Sequence, residues 1–225
     1  MDEVVTNPTA KDIRDACTQF DSENKYCEDA LTELFRQYPS NTNHAHVYLK
    51  VVTLNALYST QIPIYSDRVP SLADVADHIV KQEIDAPLSQ GSPDLVGLIA
   101  NLKVEGKEPR CNYSFATKYC SWQSQDTYPI FDSHVNEYLW HLRNLGGLDQ
   151  FKRDLLWDYP EFRKIVAEFR DRYGLGEFTF KQIDKFLYYE GGKLLDAKEK
   201  EKQLVAAAES QPILSESNQY EKAKP

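Results

Sequence analysis

From Thr9 to Gly192 the apolar residues recur every three or four positions and almost nowhere in strict alternation, which commits the chain to helices. The spacing predicts helices over 9–20, 23–38, 44–62, 71–82, 92–104, 113–122, 133–145, 159–175 and 178–192. Punctuation agrees with these spans. Ser71 can cap one helix and Pro93 can open another. Pro63 should stop a third, and Gly146-Gly147 a fourth. The stretch 44–62 is apolar on most sides, through Val47, Leu49, Val51, Val52, Leu54, Leu57 and Tyr58, so a helix over about 43–64 is expected at the centre. The candidate strands "VPSL" and "TYPIF" are too short to build a sheet. The expected class is all-α. Beyond Gly192 the composition turns charged. We read 1–195 as one helical unit and 196–225 as a charged tail, partly helical or disordered.

Charge narrows the partners. The 225 residues carry a net charge of −9, which argues against unspecific adhesion to nucleic acid or anionic membrane. The balance is uneven, however. Residues 1–40 hold nine acids against four bases, whereas 101–120 hold Lys103, Lys107, Arg110 and Lys118 against Glu105 and Glu108. No apolar run reaches membrane-spanning length, and the acidic, polar start carries no signal peptide. The four cysteines form no C-x-x-C, and the five histidines are scattered, so neither a zinc site nor a disulfide framework is indicated. A reducing cytoplasm is expected.

One stretch stands out, "YPIFDSHV" at 128–135. An acid closes an apolar run directly before a new helix. Asp132 can be a plain N-cap, accepting from the free amides of that helix. It can equally be a carboxylate held in a low-dielectric pocket for chemistry. Upstream, "YSFATKYCSW" forms a helix on which Ser114 and Lys118 share a face, so Lys118 is a candidate cation for Asp132.

"PIFDSHV" resembles the segment of the helix-hairpin-helix DNA glycosylases in which a catalytic aspartate begins a helix. Endonuclease III, the adenine glycosylase and the 8-oxoguanine glycosylases belong to that superfamily. Ala116 matches the small residue packed some sixteen positions before the acid. Further upstream, "ALYSTQIPI" (56–64) is similar to the segment whose polar side chains enter the DNA stack, with Tyr58, Ser59, Thr60 and Gln61 in the matching positions. The C-terminal "FKQIDKFLYYEGGK" is similar to bacterial 8-oxoguanine-glycosylase-like proteins.

The resemblance implies a two-lobed helical fold with a cleft between the lobes. It implies an enzyme that hydrolyses the N-glycosidic bond of a damaged or modified base flipped from double-stranded DNA, in host repair or in defence against phage. Asp132 and Lys118 would be catalytic. Tyr58, Ser59, Gln61, Lys107, Arg110, Asn112 and Ser114 would contact DNA, and Trp122, His134 and Tyr189 would line the base pocket, with Tyr58 as a further stacking candidate. The enzyme would be a monomer needing no metal or diffusible cofactor.

The departures are specific. The superfamily's hairpin reads L-P-G-x-G-x-x-x-A, and here "EPRCNYSFA" keeps Pro109 but puts Arg110 and Asn112 where glycines bring backbone amides to a phosphate. Ser114 occupies the place of the lysine found in members that also cleave the strand, and Lys118 lies one turn on. A monofunctional enzyme with water as nucleophile is therefore expected. The competing reading is a non-catalytic helical module that binds DNA or protein, which the acidic balance favours.

Overall fold

The computed structural model describes residues 4–209. Among them are ten α-helices and one minimal strand pair, so the class is all-α. Helices α1 (Ala10–Glu23) and α2 (Lys25–Gln37) form the N-terminal pair. Next come α3 (His44–Tyr58), α4 (Leu72–Lys81), and the short α5 (Asp85–Ser89) and α6 (Asp94–Ala100). A hairpin of two antiparallel strands, β1 (Asn101–Leu102) and β2 (Arg110–Cys111), leads into α7 (Tyr113–Gln123). Then follow α8 (Ser133–Asn144), a 3-10 turn (Arg153–Trp157), α9 (Tyr159–Arg172) and α10 (Phe180–Glu209).

The starts of the helices obey local chemistry. Thr9 and Ser71 cap α1 and α4 in reciprocal boxes with Asp12 and Asp74. Asp132 and Asp158 cap α8 and α9 through Val135 N and Glu161 N. Their positions follow from sequence because a cap needs only its own next three residues.

Three expectations fail for tertiary reasons. First, α3 is not central. It buries Val47, Lys50, Val51 and Leu54, whereas Leu49 and Leu57 are more than 40% exposed. The central helix is α7, in which Tyr113 and every residue from Phe115 to Trp122 are buried. Lys50, the polar member of α3's inner face, is satisfied there. Its ammonium donates to Tyr38 O (3.0 Å), Ser40 O (3.1 Å) and Asn41 Oδ1 (2.7 Å).

Second, α3 ends at Tyr58, five residues before Pro63, because Ser59 turns into the left-handed region (φ 50°). Gln61 is also left-handed (φ 60°). Neither residue is glycine, so this turn stores backbone strain.

Third, α10 does not stop at Gly191-Gly192 and runs unbroken through 195/196. Gly191 marks a crossing instead of an end. The backbone of α8 at His134 passes so close that a Cβ on Gly191 would stand 2.7 Å from His134 Cα. The α8–α10 packing that results is the most extensive between any two helices. The rest of the expected tail, 210–225, lies outside the described residues.

Candidate functional site

The hairpin between α6 and α7 is a β-ribbon in place of a glycine loop. Asn101 pairs with Cys111 and Leu102 with Arg110, and Asn112 N donates to Ala100 O at 2.9 Å. Arg110 reaches back over this ribbon and donates through Nη2 to Gln61 O at 2.8 Å. It thereby braces the strained turn after α3.

That turn is one wall of a cavity of about 500 Å³. Leu57, Tyr58, Ser59 and Thr60 come from the end of α3, Ser114 and Lys118 from α7, Asp132 to His134 from the start of α8, and Tyr188 from α10. Three stretches far apart in sequence, singled out above, therefore meet at one place.

Asp132 does both things a carboxylate can do there. Its Oδ1 accepts from Val135 N at 3.0 Å and caps α8. Its Oδ2 takes no hydrogen bond among the described residues, and the side chain is only half-buried against the cavity.

Lys118 lies beneath, 3% exposed. Its Nζ donates to Ser114 Oγ at 2.7 Å and to Phe131 O at 3.4 Å, and it stands 5.4 Å from the centre of the Tyr58 ring. The expected ion pair with Asp132 is not formed. Burial lowers the pKa of Lys118, and the more distant Asp132 and Asp184 offset this only in part.

The wall behind Lys118 is a buried ionic layer. Lys181 donates to Tyr58 Oη (3.2 Å) and Glu28 Oε1 (3.3 Å) and stacks 4.2 Å over Trp122. Trp122 Nε1 donates to the same Tyr58 oxygen at 3.0 Å. Lys185 pairs with Asp21 and Glu28. Both lysines are less than 9% exposed, so this face of α10 is turned away from solvent. The packing of α1 on α10 covers this face. Burial also pushes the Tyr58 phenol up.

Several predicted residues lie elsewhere. Trp122 is 5% exposed and stacks on Phe35, away from the cavity, because α7 is central. Tyr189 points into a separate groove between α1 and α10 and donates to Glu23 at 2.6 Å, so Tyr188 is the residue that α10 contributes to the cavity. Asn112, at the start of α7, is buried at 6% exposure. Lys107 is drawn to the first turn of α4, where it binds Asp74 at 2.6 Å. Gln61 and Arg110 stand beside the cavity wall. His134 separates the cavity from the groove. Its ring lies 4.4 Å from that of Tyr188, and its Nδ1 is buried with no partner among the described residues.

Sequence reasoning missed Asp184 altogether. It lies on α10 one turn before Tyr188, and its Oδ1 is buried with no hydrogen-bond partner among the described residues. Burial, and after it the neighbouring Asp132, raise its carboxyl pKa to about 8. The only trace in sequence is an acid between two lysines on a helix that also carries large apolar residues.

Comparison with known proteins gives a family without a stated activity. An uncharacterized protein of Haemophilus influenzae is 31% identical over 132 residues, 58% of this chain and 62% of that protein. The chain therefore spans less than two thirds of that relative's length. No solved structure matches. Residues 12–127 match the N-terminal domain designated HI_0787_N, a stretch that includes Lys118 and the turn after α3 and stops just short of Asp132. The chain belongs to the HI_0787_N N-terminal domain family.

Proposed function

We propose that this protein is a monofunctional DNA N-glycosylase of the helix-hairpin-helix type, with its active site in the cavity at Asp132. One observation carries the reading. The segments at 57–60, 114–118 and 132–134, two of which resemble glycosylase motifs, line a single cavity of about 500 Å³. That is within the size range of small-molecule sites, about 300–1,000 Å³.

In this reading a damaged or modified base is flipped from the duplex, and the sugar sits against Asp132. The capping bond to Val135 N fixes the carboxylate. The free Oδ2 stabilises the cationic sugar and orients the attacking water. Lys118 is a supporting group. Its amine lies below the cavity surface and is held by Ser114 and Phe131, so it props the floor on which Asp132 stands. Tyr188 and Tyr58 supply ring faces for the base. The strained, braced turn at Ser59–Gln61 is the part offered to the DNA stack. The two-lobed arrangement, with the cavity between lobes, belongs to the same proposal.

A second reading, a non-catalytic helical module, draws on the fact that Asp132 has a complete structural job as a cap. Screening the purified protein against duplexes that each carry one lesion or modified base, with abasic-site formation as readout, decides between them. Base release from at least one duplex, lost in Asp132→Asn, is expected. Duplex binding without release from any of them would favour the module.

A further inference from the structure

We propose that the outer face of α3 is a self-association surface, on which a second copy of this chain packs its own α3 antiparallel about a twofold axis. The inference does not rest on the glycosylase reading, and it departs from the monomer that the resemblance implies.

The observation is a mismatch between sequence and burial. α3 is apolar on most sides, and a helix of that kind is ordinarily covered all round. Here only its inner face is covered, at Val47, Lys50, Val51 and Leu54. On the opposite face Ala45, Tyr48, Leu49 and Ala56 are exposed, and Val52 and Thr53 are half-buried. From Ala45 to Ser59 the only Asp, Glu, Lys or Arg is Lys50, which is fully buried. Roughly four turns of surface helix therefore carry no formal charge, in a chain whose net charge is −9.

The spacing says what fits this face. Ala45, Leu49, Val52 and Ala56 recur at intervals of four, three and four residues, the seam along which two helices pair. A twofold axis midway along that seam sets Leu49 against the partner's Val52, Ala45 against the partner's Ala56 and Tyr48 against the partner's Thr53. Each contact is then made twice, as an isologous interface requires. Large residues meet at the centre and small ones at the ends, and a partner of another sequence gives no reason for that internal symmetry. The alanines let the axes approach to about 8 Å, the near end of the usual range. Tyr48 and Leu49 are 36 and 45% exposed, so at about 200 Å² for a large side chain, and with the alanines and Val52 added, the stripe offers roughly 300 Å² of apolar surface. Interfaces are about 57% apolar, so two copies bury on the order of 1,000 Å², the size at which a specific but weak dimer begins.

The experiment is sedimentation velocity of the full chain from low micromolar to near-millimolar concentration, at low and high salt. A dimer should form in the micromolar range and tighten with salt, because two copies of charge −9 repel each other and salt screens that repulsion. Leu49→Arg should abolish the dimer. It should leave helix content unchanged, and urea stability unchanged at concentrations where the wild type is monomeric, because Leu49 lies outside the buried core. Tyr65→Ser, a change at an 88% exposed residue outside the stripe, should leave the dimer intact. In a Cys111→Ser background with diamide as oxidant, mixed Ala45→Cys and Ala56→Cys copies should join by a disulfide. Ala45→Cys alone should not, since its two thiols would lie about 16 Å apart along the seam. A chain that stays monomeric at every concentration, which leaves the stripe to some other partner, overturns the proposal. So does a dimer that survives Leu49→Arg, or one that Ala45→Cys alone cross-links. Base release plays no part in any of these outcomes, so this inference and the glycosylase reading fail separately.

Discussion

Replacing Gly191 by alanine separates a helix-propensity effect from a packing effect at the point that places Asp132. Gly191 lies inside α10, so alanine alone would gain about 0.5–1 kcal/mol of helix stability. The neighbour opposes this. A Cβ would stand 2.7 Å from His134 Cα and nearer still to the carbonyl carbon and oxygen of His134. Reaching an ordinary contact of 3.4 Å from 2.7 Å already asks for about 0.7 Å, and clearing the carbonyl takes the displacement past about 1 Å. The obstacle is backbone in the first turn of α8, so it cannot rotate aside. Overpacking of this kind costs about 1–3 kcal/mol, which exceeds the propensity gain. The displaced turn is the one capped by Asp132, and a 1 Å misplacement of a reacting group costs about a hundredfold in rate. Gly192 is the internal control. A Cβ there meets only His134 Cε1, at 4.0 Å, so Gly192→Ala should stabilise by about 0.5–1 kcal/mol. Urea unfolding of both variants, alongside base-release rates, tests the pair. If Gly191→Ala were as stable and as active as Gly192→Ala, the α8–α10 crossing would not be what positions Asp132.

Asp132→Asn should abolish base release with stability within about 0.5 kcal/mol of wild type, because an asparagine oxygen caps α8 as well as aspartate does. Full activity in the folded variant removes Asp132 from the mechanism. Borohydride should trap no protein–DNA adduct, and a trapped adduct that disappears in Lys118→Ala but persists in Ser114→Ala would make the Lys118 amine the nucleophile. Arg110→Ala should weaken duplex binding without sequence preference and lower the salt slope by about 1, whereas an unchanged slope would leave Arg110 only its brace on Gln61. Stability should depend on pH through Asp184. Its folded pKa, about 8, is above its ordinary value of 3.8, so the folded state holds the extra proton and stability declines as pH rises from about 4 through 8. Asp184→Asn removes that decline, and its advantage should be negligible near pH 4 and reach on the order of a few kcal/mol by pH 8 in denaturant titrations.

What the sequence by itself determined is what depends on neighbours within a few residues. Helical periodicity established the class, because an apolar stripe at three- and four-residue spacing can be buried in only one way. The caps at Ser71 and Asp132 were likewise local, since each needs only the amides that follow it. The convergence of 58–60 with 114–118 and 132–134 was legible only as a resemblance. Nothing local says that the end of α3 meets the start of α8.

Tertiary structure decided the rest, and the reason is burial. Composition put α3 at the centre, yet the central helix is α7, which carries Lys118, Thr117 and Ser121 inside because neighbours supply their partners or enclose them. The lysines of α10 are buried because the fold brings them to Asp21 and Glu28, acids more than 150 residues away in sequence. Gly191-Gly192 read as a stop because a glycine's need for a close neighbour cannot be told from its tolerance of a turn until that neighbour, the backbone of His134, is known. Asp184 is the clearest case. On a sequence it is one more acid on a charged helix, and only the fold shows that one of its oxygens is enclosed with no donor among the described residues.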